Sequence, residues 1–314
     1  MDTRHLRSFL RTADLCSISR AAESLGIAQP SLSQQLLRLE DEVGFQLFNR
    51  TARGVTVTEA GRIFQEHARH ILRGIDQALE DVQATNAAAS GQAIIAMPYS
   101  MNRLLGVELV EAVIQHAPNT EVRLVEATTG QIRGWLDDAR VDLGILYDLG
   151  PIRHLSTRRL ATEEMFLIGP AGRFASGQQS VATVSLADLQ DYPLVTLGQP
   201  HGLRKFLDGE AQRHGFTYRV KHEIDAVATI AELVANGHGY TILSKPAVRD
   251  ELFDGRLSFA RLGNGELRRT LSLVRNPAQV VTHASARIED LTVKIMASLI
   301  AKGAWEADPE AALR

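Results

Sequence analysis

Residues 17–43 constrain this chain more than any other stretch, because they encode two short amphipathic helices separated by a glycine. Ile18, Ala21, Ala22 and Leu25 fall on one helical face, and Ser17 stands where an N-cap hydroxyl is wanted. Gly26 then supplies the left-handed turn that stops the helix. After Ile27-Ala28-Gln29, Pro30 can occupy the first turn of a second helix, where its missing N–H breaks no bond. Leu32, Leu36, Leu39 and Val43 give that helix an apolar stripe, and Gln29, Ser31, Ser33, Gln34 and Arg38 begin its opposite face. Such a pair fits a recognition helix-turn-helix. Gln can both donate to and accept from adenine, small Ser side chains permit close approach, and amides at a helix start can meet phosphate. The same residues also fit a helical hairpin that only packs, with Gln and Ser facing water.

The segment that follows, from Gly44 to Thr58, has the pattern of a small β wing. Phe45, Leu47 and Phe48 are expected to pack under it, Arg50 and Arg53 bracket a projecting turn, and Gly54 permits tight geometry there. These arginines suit phosphates or a minor groove, and equally suit solvated surface charges. From Thr58, an N-cap, a long helix is predicted over Glu59 to Ala84. Phe64, Ala68, Ile71, Ile75, Ala78 and Val82 recur along it as a heptad seam. A helix of that length reaches roughly 39 Å. Its seam can pack on a second copy of the chain or on the chain's own remaining part.

Beyond the small-residue run at 87–91 the pattern changes. QAIIAM, EVRLV and DLGILY read as strands separated by helices at 101–116 and at GQIRGWLDD, a β-α-β-α-β opening that implies parallel pairing. MFLIG, YPLVTL, the helix around LRKFLDGEAQR, YRVKHEI, the helix VATIAELVANG and YTILS repeat that vocabulary, so two open sheets are expected rather than a barrel. LRRTLSLV and the helix SARIEDLTVKIMASLI close the unit.

A chain of 314 residues, 45 % hydrophobic and 23 % charged, has the length and composition of two ordinary globular domains. Ten Arg stand against eight acids over residues 1–73, a balance of +2, whereas residues 74–314 carry 24 basic and 29 acidic residues, a balance of −5. The sign favours the N-terminal part as the one that meets a polyanion. The single cysteine, Cys16, excludes an internal disulfide, suits a reducing compartment, and is read as a small buried residue. The first residues lack the apolar core of a signal peptide, and no stretch approaches the roughly 20 apolar residues needed to cross a bilayer. A cytoplasmic protein without a membrane partner is expected.

The sequence resembles the LysR-type transcriptional regulators. The segments AAESLGIAQPSLSQQLLRLEDEVG, LFNR and RGVTVTEAG stand in that family's order and spacing over residues 1–61. PYSMNRLL, VEATTGQIRGWLDDARVDLGILYD, PHGLRKFLD and AVATIAELVANGHGYTILS extend the likeness over nearly the whole chain, and HGLR is similar to the branch of nitrogen-assimilation control regulators. The resemblance implies an α+β winged helix-turn-helix (1–58), a dimerising linker helix (59–87), a hinge (88–91), a two-lobed α/β effector domain like a periplasmic binding protein (92–301) and a tail (302–314). It implies contacts to double-stranded promoter DNA from Gln29, Pro30, Ser31, Ser33, Gln34, Arg50 and Arg53, and dimerisation through the seam from Phe64 to Val82. It further implies a dimer-of-dimers tetramer, RNA polymerase as a further partner, and a small organic effector. Ala28 departs from the Ser or Thr common before this Gln, at the expected loss of a helix cap.

Two-lobed α/β modules bind at strand ends and helix starts. Ser100, Thr128 and Thr129, Tyr147, His201, Gly202 and Leu203 occupy such positions, where hydroxyls and helix amides can hold a carboxylate. An organic acid or aromatic carboxylate is therefore preferred as effector. Each position also has a local role open to it: Ser100 and Thr128 as caps, His201 in packing, and Tyr147 as a wall. Arg103 and Arg204 can add positive potential or form internal salt bridges, and an unpaired Asp148 would oppose an anion.

No catalytic residue, metal or cofactor is assigned. His67 and His70 lie three apart on the long helix without further ligands, and Gly237-His238-Gly239 follows a helix instead of opening one. The alternatives are a cleft enzyme built on Ser100, His201 and Asp148, a transport-type binding protein, or a regulator controlled by its abundance alone.

Overall fold

The computed structural model describes every residue except 52–53, 85–90, 149, 151, 153, 175, 178–179, 312 and 314, and omits some further side chains between 73 and 84 and between 176 and 180. In the N-terminal head, α1 (Thr3–Leu15), α2 (Ile18–Leu25) and α3 (Gln29–Val43) close around Phe9, which is fully buried. Asp2 caps α1 by accepting from the amides of Arg4 and His5 at 2.9 and 3.0 Å. Ser17 accepts from the Arg20 amide at 3.3 Å, and Gly26 ends α2 at φ 67°. At Ala28, α3 starts with no side-chain cap. The stripe Leu32, Leu36 and Leu39 is buried in one core with Leu6, Phe9, Ala21 and Ala22.

Strands β1 (Phe48–Thr51) and β2 (Gly54–Val57) form the antiparallel wing. Leu47 and Phe48 are buried beneath it, but Phe45 is 67 % exposed, because it directly follows the left-handed Gly44 that ends α3 and points away from the core. Cys16 corrects a second expectation. At φ 51° it holds the left-handed cap position of α1, and this leaves its side chain at the surface. Its carbonyl is the wing's anchor: the Val55 amide donates to it at 3.2 Å, and a Cβ on Gly54, where φ is 130°, would lie 2.6 Å from that oxygen. Gly54→Ala is therefore expected to destabilise the head by more than about 1 kcal/mol, read as a lower Tm. An unchanged Tm would show that the wing does not depend on this approach.

Thr58 caps α4 (Glu59–Ala84), accepting from the Gly61 amide at 2.9 Å and donating to the Gln46 carbonyl at 2.7 Å. The predicted seam is buried in one part and exposed in another. Phe64 meets Phe9 edge-on at 5.0 Å and Ala68 is buried in the head's own core, so both serve intramolecular packing. Ile71 and Ile75 are 45 % and 37 % exposed, and Ala78 is exposed as well. The side chain of Val82 and the hinge residues 88–90 lie outside the described residues. Nearly buried on the same helix, Arg69 pairs with Asp14 of α1 at 2.9 Å and with Asp138 of the following module at 3.4 Å.

That module runs β3 (Gly91–Met97), α5 (Tyr99–His116), β4 (Thr120–Glu126), α6 (Thr129–Asp137), β5 (Leu143–Tyr147), β6 (Ser156–Glu164) and β7 (Phe166–Pro170). It continues through the short β8 (Ser176–Gly177), β9 (Ser180–Val181) and β10 (Thr183–Val184) to β11 (Leu194–Thr196), α7 (Gly202–His214), β12 (Val220–Glu223), α8 (Val227–Ala235) and β13 (Thr241–Leu243). The chain closes with α9 (Arg249–Phe253), β14 (Leu257–Leu262), β15 (Arg268–Arg275), α10 (His283–Ala301) and β16 (Ala307–Pro309).

Two sheets make two lobes. The first has the order β16-β6-β15-β5-β3-β4, and its β4-β3-β5 part is parallel, as the β-α-β-α-β pattern requires. The second has the order β10-β14-β7-β13, with β11 and β12 attached beside β13 through a bridge from Leu194 to Tyr240. The chain crosses between lobes twice, and the crossings are paired where the Met165 amide donates to the Leu267 carbonyl at 2.8 Å. Gly237, at φ 79°, ends α8, so the Gly-His-Gly segment is a turn. The segment expected as a C-terminal tail packs on the first lobe at its described residues Trp305 and Ala307–Pro309. Trp305 is buried in the first lobe's core and β16 extends its sheet, since a large aromatic in a polar terminal segment gains by burial. No described helix is long and apolar enough to cross a membrane.

Candidate nucleic-acid interface and interlobe cavity

Along the first turns of α3, Gln29, Pro30, Ser31 and Gln34 are exposed and Ser33 is half-buried beside them. Arg50 reaches across from β1, donating to Ser33 Oγ at 3.2 Å and to Glu40 Oε2 at 3.4 Å. The other Glu40 oxygen accepts the amides of Leu47 and Phe48 at 2.8 and 3.0 Å. This buried carboxylate therefore joins the helix to the wing and fixes the height of Arg50 over it. In the sequence Glu40 is one of three acids in LEDEV, and nothing local distinguishes it from the other two. Arg53 lies outside the described residues.

Ser100, Thr128, Thr129, Tyr147, His201, Gly202 and Leu203 all line one cavity between the lobes, with a volume of about 810 Å³. The N-termini of α5, α6, α7 and α8 open onto it. Thr128 caps α6: its Oγ1 accepts the Gln131 amide at 3.3 Å and donates to Gln131 Oε1 at 2.9 Å. His201 caps α7, with Nδ1 accepting the Leu203 amide at 3.1 Å. That bond leaves its proton on Nε2. Burial, and then the nearby Arg269 charge, hold the His201 pKa below its ordinary value and favour this neutral form. By contrast, α5 and α8 begin at Pro98 and Ala226 with no side-chain cap, so their first amides are available to an acceptor in the cavity.

The cavity floor holds residues that the sequence did not single out. Ser100 Oγ lies 2.9 Å from the Tyr147 hydroxyl, which donates to Glu163 Oε1 at 2.6 Å, while Trp305 Nε1 donates to Glu163 Oε2 at 3.0 Å. Burial pushes the Glu163 carboxyl up, against the opposing pull of hydrogen bonds from Tyr147, Trp305 and Ser244 and of the Arg269 charge. Burial, followed by the charge of Glu163, pushes the Tyr147 hydroxyl well up. Arg269 also lines the cavity, 4.1 Å from the Tyr147 ring, and pairs with Asp148 at 2.5 Å. Asp148 is thus not the unpaired acid that would repel an anion. Two signals for this floor were present: the acids Glu163 and Glu164 abutting the apolar run MFLIG, and the isolated Trp305.

Arg103 pairs with Asp250 at 2.7 Å and Glu251 at 3.3 Å, and Arg204 with Asp208 at 3.2 Å and Glu223 at 2.5 Å, so both are held in internal bridges. Ser100, His201 and Asp148 do not form a relay, because each bonds a different partner: Tyr147, the Leu203 amide and Arg269.

Comparison with known proteins bears on the family and the fold. Residues 3–62 match the model of the bacterial regulatory helix-turn-helix protein, lysR family, and residues 86–292 match that of the LysR substrate binding domain. The chain is 30 % identical over 312 residues to the nitrogen assimilation regulatory protein nac of Escherichia coli (strain K12), a match that covers 98 % of this chain and 99 % of that one. It is 31 % identical over 280 residues to the nac protein of Klebsiella aerogenes, covering 87 % and 88 %. Among solved structures, full-length CbnR complexed with its target DNA superposes with a TM-score of 0.64 at 21 % identity, covering 93 % of this chain and 99 % of that one. The chain belongs to the LysR family and is a DNA-binding transcriptional regulator, not an enzyme.

Proposed function

We propose that this regulator binds a partly palindromic promoter site as a dimer formed along α4, and that a small organic acid held between the lobes changes how it does so. The convergence of the α5, α6, α7 and α8 N-termini on one cavity beside Arg269 carries the effector part of this reading. Helix amides and a buried guanidinium stabilise a carboxylate best in such a partly dry site. The hydroxyl-bearing and cap positions, Ser100, Thr128, Thr129, Tyr147 and His201, then orient the ligand. Lys205, also at the cavity wall, adds a second positive charge.

A physical route from ligand to DNA is available. Helix α6 starts at the cavity with Thr128 and ends at Asp138, which touches Arg69 of α4, and Arg69 in turn holds Asp14 of the head. A ligand that binds one setting of α6 better than another would shift the angle between paired heads and so change promoter bending or polymerase contact. In the dimer, exposed Ile71, Ile75 and Ala78 supply the apolar face, and a dimer of dimers is the larger assembly this arrangement suits.

On the DNA side, Gln29→Ala is expected to change base preference by about 1–3 kcal/mol at one position while leaving the fold intact. A competition panel of duplexes that gave unchanged preference would remove Gln29 from direct readout. For the effector, calorimetric titration of the full-length protein with a panel of organic acids, followed by footprinting, is the test. A binder that alters the footprint is expected. No binder in the panel, or a binder that leaves the footprint unchanged, would overturn coinducer control and favour control by abundance.

A further inference from the structure

The hydroxyl chain on the cavity floor has a direction. Trp305 Nε1–H can only donate, so Glu163 Oε2 must accept. At Oε1 the Tyr147 hydroxyl stands 2.6 Å away, the separation of an O–H group donating to an ionised carboxylate. As a carboxylate Glu163 can only accept, so Tyr147 gives it its single hydroxyl proton. The 2.9 Å contact between Ser100 and Tyr147 must then be made with the proton of Ser100. Ser100 therefore turns its proton away from the cavity that it lines and offers that cavity only lone pairs.

We infer that Glu163, acting through Tyr147, fixes Ser100 as a hydrogen-bond acceptor and so selects effectors that carry a donor, a hydroxyl or an N–H group, at that end. The inference rests on reading the cavity as the effector site. It assigns the two ends of the ligand different chemistry: an anionic group near the uncapped start of α8, and a donor at the floor beside Ser100. Glu163 acts through Tyr147 and Ser100 and is a positioning residue in this scheme. The charged and titratable groups around it are Tyr147 from β5, Arg269 from β15 and, across a smaller rear cavity, Lys245, Arg249, Glu164 and Glu306.

Replacement by glutamine reverses the chain. In Glu163→Gln the amide must turn its carbonyl toward Trp305 Nε1–H, which leaves its NH₂ to donate to Tyr147. Tyr147 then donates to Ser100, and Ser100 donates into the cavity. Tyr147→Phe cuts the chain and frees the Ser100 proton to turn either way.

The test has two arms on the full-length protein. Calorimetric titration uses 3-hydroxybenzoate, which offers a donor, and 3-methoxybenzoate, which offers only an acceptor. The wild type is expected to prefer the hydroxy compound about tenfold or more, the usual effect of leaving a buried acceptor unmatched. Glu163→Gln should invert the preference, and Tyr147→Phe should bring it near one. A variant that weakens both compounds equally, with the ratio unchanged, would reduce Glu163 to a structural role and overturn the proposal. The second arm needs no ligand: neutron diffraction from deuterated crystals locates the hydroxyl deuterons. Tyr147 pointing at Glu163, with Ser100 pointing at Tyr147, is expected, and a Tyr147 deuteron aimed at Ser100 overturns the proposal. If neither compound binds, the reading of the cavity as a site for such acids fails, and the deuteron positions still decide the direction of the chain.

Discussion

Replacing Ile71 and Ile75 together with Lys is expected to convert the protein to monomers and to weaken binding to its DNA site by about 10²–10⁴-fold, the usual return of a second linked contact. Both side chains lie on the part of α4 that the head leaves uncovered, at 45 % and 37 % exposure. Two charges there would have to be buried in an apolar seam without partners, which costs more than the seam gains. The fold of each protomer should survive, because neither residue belongs to the head's core cluster. Analytical ultracentrifugation beside a gel-shift titration reads both effects. An unchanged sedimentation coefficient would remove the α4 seam from the proposed interface.

Phe9→Ala is expected to unfold the head and leave the lobes standing. Phe9 is fully buried and touches both Phe48 of the wing and Phe64 of α4, each at 5.0 Å between ring centres. Truncation of a buried Phe costs about 3–5 kcal/mol. That is a large share of the roughly 5–15 kcal/mol that stabilises an ordinary domain. Calorimetry should show the head's transition shifted down or lost with DNA binding, while the transition of the two-lobed module stays in place. If binding and both transitions persisted, Phe9 would not be the keystone of the head.

Local patterns carried most of the fold. Gly26 and Pro30 bracket a turn whose geometry follows from those two residues alone, and the Leu32-Leu36-Leu39 stripe has only one face to bury. The parallel β4-β3-β5 core follows from alternation of strands and helices. What escaped was set by distant partners. Nothing near Phe64 or Ala68 in the chain says that Phe9 will claim them, so the seam reads as continuous although the head uses its first part. Trp305 meets Glu163 across 142 positions, and Arg269 meets Asp148 across 121. Pairings of that kind join the C-terminal segment to the first lobe and pair Asp148, whose partner the local sequence does not show. Cavity positions such as Ser100, Thr128 and His201 were legible because strand ends and helix starts are local features. Glu163 was not, because a strand acid gains its role only from the strands on either side.

The claim that a dimer presents two recognition helices to DNA is tested most directly by footprinting the wild-type protein on promoter fragments, with Gln29→Ala in parallel. Protection of two half-sites about one helical turn apart, roughly 10 base pairs, is expected, with the variant shifting preference within each half-site. Protection that is indifferent to sequence, or confined to a single half-site at concentrations where the protein is dimeric, would contradict the account.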